Sequence, residues 1–283
     1  MSIRLAVSAF AAALFLGVAA VAADIPQDEA GFTAYVADAL RHELAGTSVE
    51  VKGPLTILVG TAQASLDRVW RGCQADAASC EAGVGDYVHA IAEAHKQQGA
   101  PVDRAAVRLV VRTAAYVERS QQSMGDDAPQ LQVEALPSGL VAVAVADAGR
   151  SLKLLSDRQL AELGLTHDQL FDLARENMRK ALAPVLDRAK PADHGQIGSV
   201  GGSIYEVGRV AMADQWAALA QAQHETLVVA MPTTDVVLYV SEATPGALDA
   251  LSTLAQTMAA KAPNPLAPKV LLRWRDGRWV AAN

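Results

Sequence analysis

Apolar residues recur at helical spacing over residues 28–44, at Phe32, Tyr35, Val36, Ala39, Leu40 and Leu44, and Gly46 follows as a stop. Two short β-type runs come next, 48–51 and 55–59, broken by Gly53-Pro54. The spacing then predicts a helix from about Ala64, with Leu66, Val69 and Trp70 on one face, and another over 84–97. The apolar run 107–111 reads as one buried strand. Residues 120–130 are polar and contain Gly125-Asp126-Asp127, which predicts an exposed loop.

Strands are expected at 132–136 and 140–146 around Pro137-Ser138-Gly139, and at 151–155. A short helix follows from Ser156-Asp157. Thr166 and Gln169 have capping-box spacing, and Leu170, Leu173, Ala174, Asn177, Met178 and Leu182 continue at helical period. Residues 187–202, with four glycines, read as a loop, and 204–223 as one long helix. Strands at 226–231 and 235–240 flank Pro232, and Thr244-Pro245 opens a helix to about Lys261. The end of the chain reads as a hairpin about Asp276-Gly277.

These elements predict an α+β fold, with mixed or antiparallel sheets and packed helices. Strand, turn, strand, helix recurs at 49–74, 140–178 and 227–258. Either a ββα unit is repeated, or the order is the common grammar of α+β proteins. The expected division is a signal peptide at 1–23, an N-terminal α+β part at 24–130 and a C-terminal α+β part at 131–283, the last two separate or continuous.

The start of the chain carries that first expectation. Arg4 precedes an apolar run from Leu5 to Ala23, which closes on Ala20-Val21-Ala22. A charged region, an apolar core and small residues in that order form a cleavable secretory signal; the rival is a retained membrane anchor. Without it the chain is expected to have no membrane span and to be periplasmic or secreted. Charge narrows the partners. The 24 Lys and Arg against 31 Asp and Glu leave a net charge of −7, without a basic cluster, which argues against nucleic acid and anionic membranes. The only cysteines, Cys73 and Cys80, read as a disulfide in an exported chain. Closing so short a loop contributes roughly 2.5 kcal/mol in the chain-entropy model. The spacing is longer than the Cys-x-x-Cys of redox pairs.

Several short motifs resemble the YtpQ-like family of uncharacterised bacterial proteins. They are Leu55-Thr56-Ile57 with Ala64-Ser65-Leu66-Asp67-Arg68-Val69-Trp70, Ala174-Arg175-Glu176-Asn177-Met178, Gly201-Gly202-Ser203-Ile204-Tyr205-Glu206, and Met231-Pro232-Thr233-Thr234-Asp235. Ser203-Ile204 and Thr234 stand where the family pattern has Asn and Arg. The resemblance implies an α+β fold and no activity.

Candidate chemistry is sparse. The histidines His42, His89, His95, His167, His194 and His224 include no pair at helix-ligand spacing, so no metal site is expected, and no cofactor motif occurs. No Gly-x-Ser-x-Gly elbow is present. The most unusual stretch is Gly198-Ser199-Val200-Gly201-Gly202-Ser203. It reads as a flexible connection or as a backbone-lined cleft with Tyr205 and Glu206 as polar groups. The candidate binding residues are therefore Gly201, Gly202, Tyr205, Glu206 and Asp235, with the glycine turn expected to bring Tyr205 and Glu206 against the strand ends near Pro232 and Asp235. Two functions follow: a module that binds a periplasmic protein or small molecule, or a hydrolase using Glu206 with Asp147 or Asp235.

Overall fold

The computed structural model describes residues 25–60, 62–97, 101–125, 128–149, 152–192 and 194–282. The expected signal peptide lies outside them. Among the described residues no helix is long and apolar enough to cross a membrane.

The chain opens with helix α1 (Glu29–Glu43), capped by Asp28, whose carboxylate accepts from the Gly31 amide. Strands β1 (Val49–Gly53), β2 (Thr56–Val59) and β3 (Ala62–Ser65) form an antiparallel meander, followed by helices α2 (Asp67–Ala75) and α3 (Cys80–Gln97). The expected helix at Ala64 thus begins later: Ala64 and Ser65 pair with Ile57 and Thr56 in the sheet. Phe32, Val36, Leu40, Ile57, Leu66 and Val84 belong to a core of their own, against which Trp70 packs. Cys73 and Cys80 are joined, with Cα atoms 4.5 Å apart, and tie α2 to α3.

The second sheet is built from β4 (Val107–Thr113), β5 (Val133–Leu136), β6 (Leu140–Asp147) and β7 (Leu152–Leu154). Between β4 and β5 lies helix α4 (Ala114–Met124), which corrects the loop expected over 120–130. Thr113 caps it and Gly125 ends it; its few apolar residues left no periodic signal. β4 and β6 pair from Val107↔Ala146 to Thr113↔Leu140, so this sheet spans residue 130. Helix α5 (Asp157–Leu163) follows. Helix α6 (His167–Ala181) starts at the expected Thr166–Gln169 capping box, and α7 (Val185–Arg188) is a single turn. Helix α6 covers one face of the sheet with Leu170, Phe171, Ala174 and Met178. It also closes the free edge of β4. Asn177 donates to the Arg104 and Val107 carbonyls (2.7 and 3.1 Å), and the Leu109 amide points at the Met178 sulfur (3.2 Å).

The third sheet has the order β12-β11-β9-β10-β8, from β8 (Gly198–Gly201), β9 (Leu227–Thr233), β10 (Val236–Ser241), β11 (Pro265–Arg275) and β12 (Arg278–Ala281). All pairings in the three sheets are antiparallel. Strand β8 falls in the stretch expected as loop. Its glycines conceal it, yet Gly198 is obligatory: a Cβ there would meet the Tyr239 ring at 2.1 Å. Pro232 sits in the central strand β9, beside a register shift near the strand end, where a missing N–H is tolerated. Helix α9 (Ala247–Lys261) packs Leu251 and Ala255 on one face of this sheet, against Val228, Ala230 and Leu238. The other face holds Val229, Met231, Trp274 and Trp279 with Trp216.

The long helix expected over 204–223 is broken. Two 3₁₀ segments, Val207–Ala211 and Ala213–Trp216, precede α8 (Ala217–Ala222). Met212, with φ −118° and ψ 73°, separates the two 3₁₀ segments, and Gly208 in the first lies against β4: a Cβ there would meet the Leu109 carbonyl oxygen at 2.4 Å. The three candidate ββα spans differ: 49–74 is a three-stranded meander and a helix, 140–178 a hairpin followed by α5 and α6, and 227–258 a hairpin followed by α9. Their packing differs, since α9 lies on its own hairpin whereas α2 packs against α3.

Candidate functional site

A cleft of about 330 Å3 lies where the second sheet meets the third. Five segments converge on it. Strand β4 supplies Arg108 and the end of β6 supplies Asp147. The end of α6 and the connection after it contribute residues 181–183, α7 contributes Arg188, and the turn after β8 contributes Gly202, Ser203, Tyr205 and Glu206. The volume is at the small end of ligand pockets, which suits a compact molecule.

The sheet register fixes the floor. Arg108 pairs with Val145, so it shares a face with Val145 and, two residues further, with Asp147. Residues so related are diagonal neighbours, roughly 7–8 Å apart. Among the described residues neither Arg108 nor Asp147 makes an ion pair. Arg108 donates one nitrogen to the Ala105 and Val107 carbonyls (2.6 and 2.9 Å). Asp147 accepts from the Gly149 amide (2.8 Å).

Tyr205 packs against the cores on both faces of the second sheet. Its hydroxyl is buried and makes no hydrogen bond of normal geometry. Burial, and then the nearby Asp147 carboxylate, raise the phenol pKa above its ordinary 10.0, against an opposing effect from Arg108. The hydroxyl is thus held as a protonated donor within the field of both charges.

Glu206 is spoken for. It is 2 % exposed and its Oε2 accepts from Arg209 Nε at 2.5 Å; Arg209 is fully buried. Arg209 also donates to Gln215 (2.8 Å), and its backbone carbonyl accepts from the Trp216 indole (3.0 Å). The second Glu206 oxygen faces Arg188 at 3.7 Å. Arg188, about half exposed, is anchored by a bond to the Gly201 carbonyl (3.0 Å). Gly202 adopts φ +100°, a conformation that favours glycine and lets the chain turn from β8 into the cleft.

Asp235 lies elsewhere. Gly201 pairs with Val236, and a Cβ on Gly201 would sit 3.3 Å from the Asp235 carbonyl oxygen, so the backbones do meet. The Asp235 side chain instead accepts from Thr233 (2.7 Å) and Asn264 (3.1 Å) and does not line the cleft. Tyr205 and Glu206 turn towards Arg108, Asp147 and Arg188 rather than towards Asp235. Of the carboxylates weighed as partners of Glu206, Asp147 is the one the fold brings to the same cleft. Sequence reasoning missed Arg108 and Arg188. A charged residue inside the apolar run 107–111 was the available signal for Arg108; Arg188, in a Pro-bounded connection, offered none.

A larger groove, about 560 Å3, runs between α2 and α3 beside the disulfide. Small residues at Gly72, Gly83, Ala90 and Ala94 leave it open. Its Tyr87 hydroxyl is already bonded to the Ser65 carbonyl (2.9 Å). Its charged lining residues, Arg68 and Asp86, are exposed, whereas the Arg108–Asp147 cleft adds a buried phenol hydroxyl to its charges. Among the described residues no group of three or more His, Cys, Asp or Glu side chains is placed to hold a metal ion. No protein-family model matches the chain, nor does any curated protein or solved structure.

Proposed function

We propose that the chain is an exported binding module that holds a small polar ligand in the Arg108–Asp147–Tyr205 cleft. One observation carries this: the cleft presents Arg108 and Asp147 without an ion pair among the described residues, while its most buried carboxylate, Glu206, is neutralised from behind by Arg209. The hydrolase alternative, with Glu206 as an acid–base group, needs that carboxyl free to exchange protons with substrate. A carboxylate locked to an interior guanidinium is poorly suited to that role. Fixed charges and a protonated phenol serve recognition instead. The disulfide and the signal-like start support export to an oxidising compartment, periplasmic or extracellular. The resemblance to the YtpQ-like family stays part of the proposal and adds no activity to it. The test is native mass spectrometry of the protein purified from its exported fraction. A small molecule is expected to co-purify, and Arg108→Gln is expected to lose it. Retention of the same molecule by Arg108→Gln, or hydrolytic turnover that vanishes in Glu206→Gln at unchanged stability, would refute the binding-module reading.

A further inference from the structure

We infer that the cleft selects zwitterions, compact molecules that carry a carboxylate and an ammonium group, of which a free α-amino acid is the simplest. The inference rests on the binding-module reading and names its ligand class.

Arg108 and Asp147 stand on one face of the second sheet as diagonal neighbours. No ion pair joins them, and neither has one elsewhere among the described residues. Two opposite charges on diagonal positions are within an arginine's reach of each other, yet here the Arg108 guanidinium is turned to the Ala105 and Val107 carbonyls instead. A ligand with its own opposite charges bridges the two. Its carboxylate meets the guanidinium, which retains N–H groups beyond those given to Ala105 and Val107. Its ammonium meets the Asp147 carboxylate, which uses one oxygen for the Gly149 amide and keeps the other. The Tyr205 hydroxyl, buried and with no hydrogen bond of normal geometry among the described residues, stands beside both, close to the Asp147 carboxylate. It can donate to the ligand carboxylate.

A simple anion fits less well. It would gain Arg108 but sit against Asp147, with no group of its own to satisfy that carboxylate. A simple cation has the converse problem. Leu182 and the flanking Ala181 and Ala183 give the cleft one apolar wall, suited to a short side chain.

The test is equilibrium dialysis of the full chain against a mixture of the standard L-amino acids, read by mass spectrometry. Acetate and methylamine, the two halves of the zwitterion, are run as separate probes. One or more amino acids are expected to be retained. Each should bind at least about tenfold more tightly than either half, which corresponds to about 1.4 kcal/mol. Arg108→Gln and Asp147→Asn should each weaken retention by about tenfold or more, with melting temperatures unchanged. Asn keeps the acceptor for the Gly149 amide, so Asp147→Asn tests charge and not the turn. Equal binding of acetate and amino acid, with Asp147→Asn neutral, overturns the zwitterion and leaves a simple anion site. Retention of no amino acid overturns it too. If in addition the protein's co-purifying molecule is unaffected by Arg108→Gln, the binding-module reading falls with it.

Discussion

Glu206→Gln removes one charge from a pair that is almost wholly out of water. Glu206 is 2 % exposed and Arg209 is fully buried, and the carboxylate accepts the Nε hydrogen at 2.5 Å. Arg188, 3.7 Å from the second Glu206 oxygen, is itself a cation and offers Arg209 no replacement charge. The variant leaves the Arg209 guanidinium buried and uncompensated. Breaking a buried pair in this way typically costs about 3–5 kcal/mol. For a chain of this size each kcal/mol lowers the melting temperature by about 2–4 °C, so the expected drop is about 6–20 °C. A charge that only complemented a helix N-terminus would contribute roughly 0.3–1 kcal/mol. The two magnitudes are well separated in a urea titration followed by circular dichroism. Glu206→Leu with Arg209→Met supplies the control, because replacing both partners by apolar groups is often neutral or stabilising. A loss below about 1 kcal/mol in Glu206→Gln, or no recovery in the double variant, would refute the interior pairing as the role of Glu206.

Other expectations follow from the same packing. Replacing Cys73 and Cys80 by Ser should destabilise the N-terminal core by roughly 2.5 kcal/mol, read as earlier amide exchange in α2 and α3. Gly208→Ala should cost about 1–3 kcal/mol, because its Cβ meets the Leu109 carbonyl, whereas Gly85→Ala, exposed within α3, should stabilise by about 0.5–1 kcal/mol. Chemical denaturation at each residue separates the two signs. The Tyr87, Tyr205 and Tyr239 phenols all have pKa values raised by burial from 10.0. The folded state then holds protons that the unfolded chain releases, so stability is intact below about pH 10 and falls as pH rises beyond it. Tyr205→Phe should flatten that alkaline decline, and an unchanged slope would contradict the raised value.

The parts of the fold legible in the sequence were those with local chemistry. The Thr166–Gln169 capping box starts α6, Asp276-Gly277 turns β11 into β12, and the close cysteine pair is a disulfide. What was hidden depends on contacts distant in sequence. Strand β8 has one buried apolar residue, Val200, and exists because β10 pairs with it. Periodicity alone extends a helix through 204–223, but Gly208 lies close against the Leu109 carbonyl, the segment winds as 3₁₀ turns, and the helix breaks at Met212. The candidate site was half visible. The glycine turn marked Gly202, Tyr205 and Glu206, and Asp147 stood among the carboxylates weighed with Glu206, while Arg108 beside it is set by the β4–β6 register. Asp235 shares a backbone neighbourhood with Gly201 but spends its side chain on Thr233 and Asn264.

Amide chemical-shift mapping with the retained ligand separates the cleft from every other surface. Perturbations centred on Ala183, Gly202, Ser203 and Tyr205, and lost in Arg108→Gln, are the expected result. Perturbations confined to Gly72, Gly83 and Tyr87 in the α2–α3 groove, with the cleft silent, would contradict it.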